Sequence, residues 1–210
     1  MDNGAALRND LKRKLRQLSE LKKRSNRMRL AAENWDEEWK TLMAIILSAQ
    51  SRDETTIRIA KALFEEYYSL DNLANARYWD VLKVLKSINY NRTKSKHIIA
   101  CAKILVNIYG GKVPKRFGAL LDLPGVGRKT ANVFLSAIGQ DSVGVDTHVF
   151  YISKKLGWSN SKNIKKVEFD LKKSFPKEYW NEINPALVRF GKTFTSKQEK
   201  DFILNKIKEL

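Results

Sequence analysis

One stretch, Leu121–Leu135, limits what this chain can fold into more than any other. It starts with an apolar run ending at Leu123, which fits the last turns of a short helix. The next four residues, PGVG, end that helix, because proline lacks an amide hydrogen and glycine tolerates a positive φ. Small and apolar residues then resume with helical spacing after Lys129. The stretch therefore predicts two helices joined by a tight turn.

Arg128 and Lys129 open the second predicted helix. The unpaired amides and the dipole of a helix N-terminus favour anions there, so basic side chains in this turn suit a phosphate or a substrate. Three interpretations are open: a structural hairpin with basic surface residues, a nucleotide-binding P-loop, and a DNA-binding hairpin. The P-loop pattern fails, because no glycine lies five residues before Gly127 and a helix precedes the loop.

The charge distribution agrees with a DNA-binding hairpin. The net charge is +17, so a polyanion is the expected partner. The excess is concentrated in two segments, residues 1–30 with a net +7 and residues 83–129 with a net +10. The second segment ends at the lysine of the predicted hairpin.

The cysteine content and the apolar runs exclude several classes of protein. Cys101 is the single cysteine, which excludes a disulfide and favours a reducing compartment. No apolar run reaches 18 residues and no signal peptide is recognised. We therefore expect an intracellular protein, in the cytoplasm and nucleoid or in the nucleus. His97 and His148 with Cys101 are too few for a metal site, so neither a metal nor a cofactor is expected.

The string LPGVGRKTANVFL, Leu123–Leu135, closely resembles the helix-hairpin-helix of the endonuclease III family of DNA glycosylases. A second string of that family, VDTH, occurs at Val145–His148 and begins 16 residues after Lys129. The similarity runs from about residue 35 to about residue 194. It implies an all-α, two-lobed helix-hairpin-helix DNA glycosylase fold with the active-site cleft between the lobes.

The predicted domains follow from that fold. We expect a central helical domain over 34–140, and a second helical domain formed by 1–33 with 141–210. Leucines at positions 7, 11, 15, 18 and 21 predict an amphipathic N-terminal helix. Its basic faces are interpreted either as solvated surface or as an auxiliary contact with the DNA backbone.

The resemblance also implies the catalytic residues. Lys129 would attack C1′ of the deoxyribose and form a Schiff base, while Asp146 would assist. Aspartate is a favoured N-cap as well, and the two roles are compatible. The implied activity is that of a bifunctional DNA glycosylase and AP lyase in base excision repair, which excises a damaged base and nicks the strand by β-elimination.

The expected substrate is an oxidised pyrimidine. Adenine-excising relatives carry a carboxylate in the first core helix, whereas residues 39–52 contain none. Two alternatives remain. One is a non-enzymatic helix-hairpin-helix DNA-binding protein, and the other is a glycosylase for mismatched or oxidised purines.

Two loops are assigned to DNA by the same resemblance. Gln50 lies in a string similar to the family's LLSAQATD, where the glutamine fills the gap left by the extruded nucleotide. Its alternative is a polar residue that ends a helix. Ser51 and Glu54 form a capping box, which predicts that a helix begins there. Tyr90 takes the position of a residue that wedges into the base stack, and its alternative is a partly buried tyrosine.

Other DNA contacts are predicted on the hairpin and on the helix after Tyr90. They are Arg92, Lys94, Gly125, Val126, Gly127, Arg128 and Thr130. The expected partner is double-stranded DNA that contains a damaged base or an abasic site, with no membrane involved. We expect the protein to be a monomer.

The C-terminal segment departs from the family pattern. Most relatives carry four cysteines here that ligate a [4Fe–4S] cluster. Residues 196–210 read SKQEKDFILNKIKEL and contain no cysteine, so we expect no cluster. A short closing helix is predicted instead, with its contacts made by Phe202, Ile203, Lys206, Ile207 and Leu210.

Overall fold

A computed structural model describes the backbone of residues 3–210 and the side chains of residues 5–210. All regular secondary structure in this range is helical, which confirms the predicted all-α class. No helix in the described range is long and apolar enough to cross a membrane. The helices are α1 Asn3–Arg24, α2 Glu38–Ser48, α3 Asp53–Glu66, α4 Leu70–Ala74, α5 Tyr78–Val84, α6 Asn91–Tyr109, α7 Phe117–Leu121, α8 Arg128–Ala137, α9 Thr147–Lys155, α10 Ile164–Ser174, the 3₁₀ turn Lys177–Tyr179, α11 Trp180–Thr193 and α12 Lys197–Lys208.

The chain divides into two compact units. One is continuous, Arg29–Ile138, and contains α2 to α8. The other combines the described residues up to Met28 with Gly139–Leu210, and contains α1 and α9 to α12. The predicted domains, 34–140 and 1–33 with 141–210, remain a prediction about independent folding that limited proteolysis would test.

Helix α2 is the centre of the continuous unit. Every residue from Leu42 to Leu47 is at most 2% exposed, because this part of the helix is apolar on all faces and must be surrounded by other elements. It packs against α3, α6 and α8. At its N-terminal end the ring of Phe64 meets Trp35 and Trp39 edge-on, with centroids 5.0 and 5.3 Å apart. The hairpin helix α8 is therefore anchored on a rigid core.

The discontinuous unit is built on α1, α11 and α12. The C-terminal part of the predicted leucine face is buried, with Leu18 and Leu21 at 2% and 0% exposure, whereas Leu7 is 70% exposed. Helix α1 packs on α11 and α12. The buried Gln17 side chain accepts a hydrogen bond from Trp158 Nε1 at 2.7 Å. The N-terminal helix is thus part of the folded unit.

The closing helix forms as predicted, but its buried residues differ from the predicted set. Leu204 and Ile207 are buried, whereas Phe202 is 60% and Leu210 49% exposed. The prediction for those two residues is wrong, because α12 packs on α1 and α9 and turns Leu204 toward them. The aromatic ring of Phe202 is instead covered by Lys206, with Nζ 4.2 Å from the centroid.

Candidate active site

The hairpin consists of α7, α8 and a turn between them. The Val126 amide donates to the Leu123 carbonyl at 3.1 Å, and Gly125 has φ +80°. Proline followed by a glycine of positive φ is the pattern of a type II turn. The short range Leu123–Val126 therefore reverses the chain by local geometry alone, as predicted.

Gly125 is required for packing as well as for its backbone angle. A Cβ atom at this position would lie 3.0 Å from Ile46 Cγ2 and 3.0 Å from His97 Cβ. Such distances are closer than non-bonded carbon atoms normally approach. The turn therefore rests directly on α2 and α6, and this close contact places the start of α8 relative to the core.

The N-terminal turn of α8 is cationic. Gly127 is its N-cap, and the first helical bond runs from the Ala131 amide to the Gly127 carbonyl at 2.9 Å. No acidic residue lies in this turn, so the positive end of the helix dipole is not offset locally. The Arg128 guanidinium lies over the Phe117 ring at 5.0 Å, and Lys129, the second residue of the helix, is half-buried. The arrangement suits binding of an anion beside an amine.

Two predicted hairpin contacts need correction. The Val126 side chain is 7% exposed and its amide is already bonded to Leu123. Neither group is therefore available to DNA, and the predicted contact for Val126 is wrong. The Thr130 side chain is also buried, so its predicted contact is limited to the backbone amide, which the first turn of a helix does not use. Gly127 is exposed and remains a predicted contact.

Asp146 is the N-cap of α9. Its Oδ1 accepts the Val149 amide at 2.9 Å, which confirms the predicted cap. The segment before it, Ser142–Val145, is buried. Asn184 Nδ2 donates to the Gly144 carbonyl at 2.8 Å and ties this segment to α11. The half-buried carboxylate is therefore held by its own helix and by a second one.

His148, in the same VDTH string, packs against Gly191 of α11. A Cβ atom on Gly191 would lie 2.2 Å from His148 Nδ1, so no side chain fits there. Sequence analysis did not single out Gly191, because a glycine inside a helical pattern gives no local signal. Lys129 and Asp146 belong to different units, and the cleft predicted to bring them together remains a prediction.

The structure brings the Gln50 and Tyr90 loops together. Both residues have left-handed backbone angles, with φ +53° and +58°, and both side chains are exposed. Asn89 Nδ2 donates to the Gln50 carbonyl at 2.7 Å. The exposure of Tyr90, 63%, argues against the alternative of a partly buried tyrosine. Arg92, in the first turn of α6, is also exposed, as a DNA contact would require.

Lys94 has a different role from the predicted one. It is 5% exposed, and its ammonium donates to Leu47 O, Ala49 O and Ser51 Oγ at 2.8, 2.7 and 3.0 Å. A lysine ammonium has three donors, and all three are used. The prediction that Lys94 contacts DNA directly is therefore wrong. Burial lowers the pKa of Lys94 to about 8, while the three acceptors favour its charged form.

The predicted capping box is also wrong. Helix α3 begins at Asp53 with Arg52 as its N-cap, and Arg52 makes no side-chain capping bond. The hydroxyl of Ser51, which would have capped the helix, accepts from Lys94 instead. Tertiary contact has thus taken over a group whose local role the sequence pattern predicted.

The residues where the family carries its cluster do not fit an iron–sulfur centre. Ser196 caps α12, and its Oγ accepts the Glu199 amide at 3.4 Å. The following residues form α12 and supply no thiolate, and Cys101 is buried in α6 of the other unit. The expectation of no cluster remains a prediction, which iron analysis and the visible absorbance of the purified protein would test.

These features define the helix-hairpin-helix class of DNA-associated proteins. The model of the HhH-GPD superfamily of base excision DNA repair proteins matches residues 43–177, more than half of the chain. The protein belongs to this superfamily and, by its relatives, to the endonuclease III-like DNA glycosylases within it.

Those relatives cover most of the chain. Endonuclease III of Thermotoga maritima is 39% identical over 161 residues, 76% of each chain. Endonuclease III of Bacillus subtilis is 39% identical over 155 residues, 72% of this chain and 70% of that one.

Solved structures agree with the fold. A trapped covalent endonuclease III–DNA intermediate, described as an estranged-adenine complex, matches with a TM-score of 0.79 and 30% identity. It covers 94% of this chain and 90% of that one. A thermostable thymine-DNA glycosylase matches with a TM-score of 0.81 and 18% identity, over 96% of both chains, and shows the fold alone.

Proposed function

We propose that Lys129 and Asp146 carry the DNA glycosylase and AP lyase reactions of this endonuclease III-like protein. The observation that carries the proposal is the position of Lys129. It is an amine in the first turn of a helix whose N-terminus suits a phosphate and which is anchored on the core by Gly125. The chemistry that an amine can perform beside a deoxyribose phosphate is attack on C1′.

The proposed steps balance as follows. The Lys129 nitrogen forms a bond to C1′ while the bond from C1′ to the base breaks, and the base leaves with a proton. The sugar ring opens to a Schiff base between Lys129 and C1′. Loss of a C2′ proton then expels the 3′ phosphate, which nicks the strand, and water releases the lysine.

Two features of the chain support these steps. The attacking amine must be neutral, and the helix N-terminus and the Arg128 guanidinium both disfavour an ammonium at Lys129. Asp146 would stabilise the positive charge that develops on the sugar and assist proton transfer. Its cap bond to Val149 uses one oxygen, Oδ1.

The substrate we propose is double-stranded DNA with an oxidised pyrimidine or an abasic site. Arg128 and the amides of Gly125, Gly127 and Thr130 would contact the phosphates near the lesion. Gln50 and Tyr90 would occupy the space of the extruded nucleotide, at an unstacking cost of a few kcal/mol that ring stacking offsets. Arg92 would contact the backbone beside them. A panel of lesion-containing duplexes assayed for strand nicking would identify the preferred base.

Borohydride trapping on a duplex with one abasic site tests the lysine mechanism. We expect a covalent protein–DNA adduct with the wild type and none with Lys129→Ala. Lys103→Ala, which removes an exposed lysine elsewhere in the same unit, is the matched control and should trap like the wild type. Binding of the duplex without any adduct in the wild type would favour a non-enzymatic DNA-binding protein.

Asp146→Asn separates catalysis from structure. Asparagine is as good an N-cap as aspartate, so the free energy of unfolding and the affinity for the abasic duplex should stay near those of the wild type. The single-turnover nicking rate should fall by about a hundredfold, as expected for loss of an acid–base group. A large loss of affinity would contradict the proposal and assign Asp146 a structural role only.

A further inference from the structure

Lys94 bridges the two loops that carry Gln50 and Tyr90. Its ammonium donates to the carbonyls of Leu47 and Ala49 and to the Ser51 hydroxyl, on both sides of Gln50. Its own backbone amide donates to the Tyr90 carbonyl at 2.9 Å. One residue is thus bonded to both loops, once through its side chain and once through its main chain.

The ammonium also ends helix α2. The last carbonyls of a helix have no partner within it, and a cation there complements the dipole. Leu47 is one of the last residues of α2, and Ala49 is its C-cap. The C-terminus of α2 is therefore capped by a side chain from α6, about half of the unit away in sequence, and no local residue performs this role.

The bend that this cap stabilises is an unfavourable one. Gln50 has a left-handed backbone without being a glycine, and such residues persist only where the surroundings determine them. The surroundings here are the three Lys94 bonds and the Asn89 bond to the Gln50 carbonyl. Without them, the backbone at Gln50 would relax and its side chain would point elsewhere.

Stability alone is a poor reason for a lysine at this position. Burial disfavours the charged form, and it lowers the pKa of Lys94 to about 8. An apolar side chain of similar length would avoid that desolvation, but it could not hold three oxygens in one geometry. The retained charge therefore points to a requirement for the shape of the loop.

We propose that Lys94 is a positioning residue that sets the backbone of residues 47–51, so that Gln50 and Tyr90 enter the damaged duplex together. The inference rests on the proposed function, in which these two side chains take the place of the extruded nucleotide. Lys94 itself does not touch the DNA and acts only through the loop.

A double-mutant cycle tests this role. The single-turnover excision rate is measured on a duplex with an oxidised pyrimidine, for the wild type, Lys94→Met, Gln50→Ala and the double variant. We expect each single change to lower the rate by about tenfold, because misplacing a contact near the reacting nucleotide costs that much or more. If Lys94 acts through Gln50, the double variant should be little slower than Gln50→Ala.

Controls separate positioning from loss of fold. Lys103→Met, an exposed lysine on the same helix, should excise like the wild type. Asn89→Ala removes only the bond to the Gln50 carbonyl and should lower the rate by a smaller factor, about threefold, since a single neutral hydrogen bond is lost. This variant keeps the test open if Lys94→Met unfolds, which thermal unfolding followed by circular dichroism would reveal.

The outcomes are distinguishable. An unchanged rate in Lys94→Met, or a full additional tenfold loss in the Gln50→Ala background, would overturn the positioning role. No effect of Gln50→Ala would overturn both the assignment of Gln50 and the inference. A wild type that neither excises the base nor nicks an abasic duplex would refute the proposed function itself.

Discussion

The hairpin turn and the paired loops at Gln50 and Tyr90 both bend the chain through left-handed backbone angles, but they do so by different means. In the hairpin the residue with positive φ is Gly125, and the bond that closes the turn joins residues three apart. In the loops the positions are held by glutamine and tyrosine, and the stabilising bonds join residues about 40 apart.

The difference reflects what each bend presents. Glycine adopts the left-handed region without strain but offers no side chain. The hairpin presents backbone amides and needs none at that point. The loops present exposed side chains at the bend itself, so they accept a strained backbone, and remote hydrogen bonds offset the strain. Lys94 and Asn89 are the residues that supply those bonds.

The largest expected effect breaks the hairpin. Gly125→Ala puts a Cβ atom at positive φ and 3.0 Å from Ile46 and His97. The free energy of unfolding should fall by about 2–4 kcal/mol, from backbone strain and overpacking together. Urea unfolding measures this.

Gly118→Ala is the matched control for that change. Gly118 lies within α7, has no positive φ, and a Cβ atom there would meet nothing within 4 Å. This variant should be more stable than the wild type by about 0.5–1 kcal/mol, because alanine is the better helix residue. Equal effects of the two substitutions would contradict the assigned role of Gly125.

A second prediction uses the ionisable clamp that only the paired loops have. Burial lowers the pKa of Lys94 from 10.5 to about 8. Between these pH values the unfolded chain keeps the proton and the folded protein loses it, so the free energy of unfolding rises with pH. Relative to Lys94→Met, the wild type should gain on the order of 1–3 kcal/mol across this window. A flat difference would mean that the three acceptors stabilise the ammonium as well as water does.

The smallest effect sharpens the comparison at Gln50. Gln50→Gly and Gln50→Ala both remove the side chain, but only glycine relieves the left-handed backbone. The glycine variant should be more stable by about 0.5–1 kcal/mol, and neither variant should recover the excision rate. Thermal unfolding of the two variants measures the difference. Equal stabilities would show that the bend at Gln50 is not strained.

Sequence analysis predicted the elements that depend on neighbouring residues. The hairpin, the end of α8 close to Gly139 and the cap by Asp146 follow from proline, glycine and aspartate at fixed spacing. Burial of α2 follows from its apolar faces. The identity of the buried side chains on α12 did not follow, because Phe202 and Leu204 are both apolar, and only the position of α9 and α1 selects between them.

Lys94 shows most clearly why the remainder could not be predicted. Lysines are rarely buried, so a lysine in a basic segment is reasonably assigned to the surface. Its true surroundings are carbonyls at the end of a helix more than 40 residues earlier. No pattern near Lys94 in the sequence reports those acceptors, and the same contact removes Ser51 from its predicted capping box.

The sequence by itself determined the helical class, the hairpin turn, the cationic start of α8 and the cap at Asp146. Each of these rests on backbone preferences and on bonds between residues a few positions apart. Only the tertiary structure decided which lysine is spent inside the protein and how Gln50 and Tyr90 come to lie together. Those outcomes depend on hydrogen bonds between distant residues, whose partners exist only after the helices have packed.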